Sequence, residues 1–227
     1  MVIKIIWVLI FSTGLIWSGI HPQDSLIWLL EVLPAIIGGI LVAATYKVFR
    51  LTPILYFFIL IHCLVLMIGG HYTYAEVPLF DGLFGAERNN YDKLGHFFQG
   101  FVPALLAREI LIRKHIVNGK HWRNFIIMSI CLAFSALYEL IEWWVALAAK
   151  EDADAFLGLQ GYVWDTQSDM GMALIGASIS LLILSKLHDT QLKNIPKKMR
   201  EIKVWSASHF LFLISYFRFC DKYHIYR

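Results

Sequence analysis

Asp92, His96 and Gln99 recur at spacings of four and three, Glu139 and Glu142 stand three apart, and Asp165 and Asp169 four apart. On helices these spacings put each set on one face. Carboxylates with one imidazole support two chemistries. As a hard-ligand set they hold Zn²⁺, Mn²⁺, Mg²⁺ or Ca²⁺. Without metal, crowded carboxylates in a low dielectric make the acid/base pair that hydrolysis or proton relay requires. Glu139, His96 and Asp169 are the candidate catalytic groups, with His96 or Glu139 as the general base. Asp92, His96, Glu139, Glu142, Asp165 and Asp169 are the candidate metal ligands, Gln99, Glu31 and Tyr138 support them, and a divalent metal is the cofactor this set admits. The pattern is not H-E-x-x-H, and one deep histidine argues against a three-histidine zinc site. There is no G-x-S-x-G, Walker loop, Rossmann glycine pattern or haem-attachment motif.

The elements that must carry these groups are apolar. Of 227 residues, 58% are hydrophobic and 16% charged, and the mean hydropathy is +0.60, far above a soluble domain. Several runs approach the roughly 20 apolar residues of a spanning helix, and no short alternating blocks suggest a barrel. The expected fold is an all-α membrane protein, a six-helix transmembrane bundle. The runs cover about 3–20, 26–46, 53–70, 92 to the basic residues Arg108, Arg113 and Lys114, then 124–149 and 167–187. The first, behind a single Lys4 and lacking a small-x-small site near Trp17, reads as a retained helix rather than a cleaved signal. Gly38, Gly39, Gly171, Gly176 and Ser180 are expected where helices pack tightly. Residues 71–90 read as an outer loop or re-entrant lid. Residues 1–190 form one polytopic domain, and 191–227 a basic cytoplasmic tail whose segment 205–219 is expected as an interfacial helix on an anionic leaflet. Cys63, Cys131 and Cys220 form no C-x-x-C pair, so neither a disulfide framework nor a sulfur-ligated metal is implied.

Orientation follows from the loops, since Lys and Arg in short loops stay cytoplasmic. Placing the start of the first run and everything from Lys186 onward inside leaves only Arg88, Lys93 and Lys150 of the 20 basic residues outside. All acids except Glu109, Asp189, Glu201 and Asp221 then fall on the outer side or in outer halves of helices. This N-in, C-in topology brings Asp92, His96, Glu139, Glu142, Asp165 and Asp169 to one depth, with Glu31, His71, Tyr72 and Tyr74 at a comparable level. Plainer roles exist for single residues. Asp92 and Asp165 would serve as helix N-caps, His96 as an interhelical hydrogen-bonding group, and Glu142 as a snorkelling residue beside Trp143 and Trp144. Glu139 and Asp169 have no cation nearby in sequence, and an ionisable residue inside a membrane is by default a functional hypothesis.

The segments Tyr91-Asp-Lys-Leu-Gly-His-Phe-Phe-Gln-Gly100, Tyr138-Glu-Leu-Ile-Glu-Trp143 and Tyr162-Val-Trp-Asp-Thr-Gln-Ser-Asp-Met170 resemble a bacterial family of YjdF-like inner-membrane proteins. The resemblance spans about helices two to six and implies a bacterial inner-membrane location. It implies no activity. Asp92 to Phe97 is also similar to a motif of VanZ-like membrane proteins, which are linked to glycopeptide and lipopeptide resistance.

Three functions fit. The first is a metal- or acid/base-assisted enzyme acting on a lipid or envelope small molecule. The second is an ion- or proton-coupled transporter, which would favour inverted repeats and midplane polar groups. The third is a non-enzymatic scaffold in which the polar network only fixes packing. The lipid bilayer is the expected partner, and nucleic acid is not, because lipid head groups and topology account for the basic tail.

Overall fold

The computed structural model describes residues 2–78, 80, 88–149 and 162–195, and every regular element among them is a helix. These are α1 (Val2–Ser18), α2 (Ser25–Thr45), α3 (Pro53–His71), α4 (Tyr91–Arg113), α5 (Lys120–Ala149) and α6 (Asp165–Lys193). Most ends fall within a few residues of the apolar runs. The interfacial helix expected at 205–219 lies outside the described residues, as do residues 79 and 81–87 of the expected lid.

Four of the six, α2, α3, α5 and α6, are long and apolar enough to cross a membrane, and α1 is shorter. α4 fails on composition, because Asp92, Lys93, Arg108, Glu109 and Arg113 interrupt it. It is nevertheless well enclosed, with 13 of its 23 residues buried against 4 of 21 in α2. Neighbouring helices shield it, as ionisable groups at membrane depth require.

The helices alternate in direction. His71 at the end of α3 meets Ser18 at the end of α1, its Nδ1 3.0 Å from the Ser18 carbonyl. Asp24 starts α2 at that same end, accepting from the Leu26 and Ile27 amides at 2.8 Å each, a standard N-cap. At the opposite end α3 begins with Pro53, and its free amides are capped by other helices. Glu109 of α4 accepts from the Thr52 amide and hydroxyl at 3.2 and 2.8 Å. Gln191 of α6 accepts from the Ile54 amide at 2.9 Å. Satisfying these orphan donors is obligatory where no water reaches.

α4 and α6 cross at glycines. A β-carbon on Gly100 would overlap the Ala173 carbonyl, and one on Gly176 the Phe97 carbonyl. Backbones come this close only where side chains are absent. Gly176 and the fully buried Ser180 therefore sit at packing points as the sequence suggests. Gly171 and Gly38 do not: each faces open space, while Gly39 meets the Phe11 ring of α1. The main apolar core gathers Val32, Leu55, Met67, Val102 and Leu105 from α2, α3 and α4.

Candidate functional site

The crossing of α4 and α6 determines how near their first turns come. His96 Nε2 lies 3.4 Å from Asp92 Oδ1, one helical turn earlier. Asp169 enters from the second turn of α6, and one ligand atom from each of the three residues lies within 4.8 Å of the others. His96 and Asp169 are only 5% and 2% exposed. The ring is held from behind: Nδ1–H donates to Gln99 Oε1 at 2.9 Å, which turns Nε2 toward the acids. An outer acceptor that fixes the tautomer in this way is typical of metal-ligating histidines.

The acids around this ring outnumber their partners. Glu139 Oε1 is 3.6 Å from His96 Nε2. Both Glu139 Oε1 and Asp169 Oδ1 are buried without a hydrogen-bond partner among the described residues. Lys93 Nζ, 3.8 Å from Asp169 Oδ1, spends its hydrogen bond on Ser168 at 2.6 Å. A buried polar atom left unanswered costs about 1–3 kcal/mol, and a charged one more. Such oxygens are therefore expected to meet a cation or carry a proton.

The remaining sequence candidates divide by location. Glu142 lies outside the trio and lines a cavity of about 240 Å³ that Asp92, His96 and Gln99 also line. It is buried while Trp143 and Trp144 are exposed, so it does not snorkel. Glu31, across that cavity, accepts from the Tyr138 hydroxyl at 2.8 Å. Asp165 is bound to Arg88 at 2.5 Å and belongs neither to the trio nor to the cavity lining. Neither Asp92 nor Asp165 is a cap, because the cap positions are Asn90 and Trp164, without side-chain capping bonds. Both acids occupy first turns, where the helix dipole favours them. Of His71, Tyr72 and Tyr74, only Tyr74 lines the cavity. Thr73 and Tyr74 both take positive φ, 53° and 57°, and that turn lays the Tyr74 ring over Gly69 and Gly95. Burial first, then the charges of Glu31, Asp92 and Glu142 among its neighbours, push the Tyr74 hydroxyl well above the usual phenol range, so it stays neutral.

A family model described as "Predicted membrane protein (DUF2238)" matches residues 3–190. This chain belongs to that family. Among curated proteins it is similar to the inner membrane protein YjdF of Escherichia coli (strain K12), with 52% identity over 182 residues, covering 79% of this chain and 87% of that protein. No solved structure matches. The chain is accordingly a multi-helix inner-membrane protein of the YjdF-like family, and the family-matched span contains every residue of the site.

The same span holds a second buried polar cluster that the sequence reading did not anticipate. Glu109, which the expected topology puts on the cytoplasmic side, is fully buried near the far ends of α4 and α6. Its Oε1 accepts from Arg113 at 2.6 Å, and its Oε2 from Thr52 and from His188 Nε2 at 3.1 Å. Arg108 donates to His188 Nδ1 at 3.0 Å and to Asp189 at 2.7 Å. Since a guanidinium can only donate, His188 accepts at Nδ1 and gives its Nε2–H to Glu109. The signal was present in the four-residue spacing of Glu109 and Arg113 and in a histidine late in α6.

Proposed function

We propose that this chain holds a divalent cation between α4 and α6 through Asp92, His96 and Asp169, and uses it for hydrolysis or group transfer on a membrane-borne substrate. The observation that carries the reading is the buried Asp169 Oδ1, which receives no hydrogen bond among the described residues, beside a histidine whose Nδ1–H is already committed to Gln99. Two carboxylates and one imidazole suit Zn²⁺ or Mn²⁺. Three protein ligands leave positions open for water or substrate, as catalytic sites do. When bound, the ion would supply Lewis acidity and an activated water. Glu139, unpartnered at Oε1 and beside His96, is placed to take a proton at that oxygen. The cavity next to the trio would hold the substrate's polar end.

All six helices are taken to span, with α1 starting and α6 ending on the cytoplasmic side. The basic residues of the described loops support this orientation, as does the alternation in helix direction. The site then faces the outer leaflet and envelope substrates. Asp92 to Phe97, similar to the VanZ-like motif, carries two of the three ligands. A transporter is the weaker reading, because the inner cluster fills the opposite end with groups that answer one another.

Metal analysis of detergent-purified protein tests the proposal. Wild type is expected to retain about one divalent ion per chain after dialysis, the stoichiometry of one three-ligand site. His96→Ala and Asp169→Asn should retain none while melting as cooperatively as wild type. Equal metal content in all three proteins would overturn it.

A further inference from the structure

The cavity beside the trio has walls from α2, α3, α4 and α5, yet α2 and α5 do not pack along their lengths. What ties them is the hydrogen bond from Tyr138 to Glu31. On either side of that bond the rim is apolar and turned outward: Pro34 on α2, and Phe134, Leu137 and Ile141 on α5, the last three 56%, 45% and 40% exposed. In a bilayer those side chains face hydrocarbon. The interior is different. Glu31, Asp92 and Glu142 line it, with His96 and Gln99. Glu142 is nine-tenths buried and makes no hydrogen bond among the described residues. On the opposite wall the buried Nε2 of His62 also lacks a partner.

An apolar sideways entrance with an anionic interior is a poor route for a free ion, which would have to cross hydrocarbon. It suits an amphiphile whose tail stays in the bilayer while its head turns inward. The head must bring positive charge to answer the carboxylates and several donors to use the open acceptors, and an ammonium offers three. We propose that the gap between α2 and α5 is a lateral portal, closed by the Tyr138–Glu31 hydrogen bond, through which the cavity takes the primary-ammonium head group of a membrane amphiphile, with Glu31 and Glu142 as its counter-charges. The inference rests on the metal-site reading only for the chemistry that would follow, since Asp92 and His96 serve both places. Binding itself needs no metal.

Dodecylamine, with dodecanol as its uncharged counterpart, provides the probe pair. Binding is measured by calorimetry on the full chain in a neutral maltoside detergent with EDTA, against protein-free micelles. Wild type should bind the amine at least about ten-fold more tightly than the alcohol, the worth of one charge-assisted hydrogen bond. Glu142→Gln should lose that preference without losing the folded state. Leu137→Trp, at the rim, should weaken both ligands, and Leu182→Trp, on an exposed face of α6 outside the cavity lining, should weaken neither. Absence of an amine preference in wild type, or its survival in Glu142→Gln, overturns the proposal even if metal is bound. Amine binding by a chain that holds no metal would instead overturn the metal reading and leave the portal standing.

Discussion

α4 and α6 carry a buried polar cluster at each end, and the two differ in how their charges are answered. At the end that holds Glu109, the inner one in the proposed topology, two arginines face two acids: Arg113 meets Glu109, and Arg108 meets Asp189. Both Glu109 oxygens accept hydrogen bonds, one of them from the start of α3. At the other end, once Arg88 is committed to Asp165, the cations that the acids Glu31, Asp92, Glu139, Glu142 and Asp169 face among the described residues are only Lys93 and His96. Oxygens of two of these acids are buried with no hydrogen-bond partner among the described residues. A network in which every acid meets a cation holds helices together, whereas acids left over at equal depth wait for a ligand.

The largest effect is expected where the inner network is broken. Glu109→Leu leaves buried arginine charge uncompensated and removes the cap of α3, a loss of about 3–5 kcal/mol on the scale of broken buried ion pairs. Thermal melts in detergent should show a large drop or no cooperative transition at all. Glu109→Gln keeps an acceptor for Thr52 and should lose less. If Glu109→Leu melts like wild type, the inner cluster is not what fixes the helices, and the contrast between the two ends collapses.

The difference between the two ends explains what was legible in the sequence. Apolar runs gave the six helices because hydropathy and length are local properties. Asp92, His96 and Gln99 were legible as one stripe because helical spacing is local too, and depth then aligned them with Glu139 and Asp169. What could not be read is partner choice. Glu139 and Glu142 share a helix face, yet only Glu142 lines the cavity while Glu139 Oε1 lies 3.6 Å from His96 Nε2, a division made by the packing of α4 and α6 against α5. The inner cluster was missed for a related reason. Arg108, Glu109 and Arg113 look like the ordinary polar end of a helix unless it is known that α4 is enclosed and that Thr52 and His188 reach it.

Asp169→Asn tests the outer end with the opposite sign. Exchanging an unanswered carboxylate for a neutral group of the same shape should leave metal-free protein as stable as wild type, or more stable by up to about 1 kcal/mol. The ligand-dependent term should disappear. For wild type, metal at about a hundred times its dissociation constant adds roughly 2.7 kcal/mol, so melts with EDTA and with added Zn²⁺ or Mn²⁺ should separate. In Asp169→Asn they should coincide. A strong destabilisation of Asp169→Asn in EDTA would mean that this carboxylate serves packing, as Glu109 does.

The smallest effect is the most discriminating, because it involves neither a charge nor a ligand. Gln99 touches His96 only at Nδ1, the side away from the acids. Gln99→Leu removes one hydrogen bond, about 1 kcal/mol of stability, so its melt in EDTA should lie close to that of wild type. If the role of Gln99 is to hold the ring with Nε2 toward Asp92 and Asp169, metal affinity should nevertheless fall by about 10–100-fold, the usual cost of losing the partner behind a ligating histidine. Gln99→Glu, which still offers an oxygen to Nδ1–H, should keep most of the affinity. A packing role for His96 predicts a different pattern, in which both Gln99 variants shift the melt and neither changes metal binding. Affinity that moves while stability does not would mark the outer cluster as a site and the inner one as a clasp.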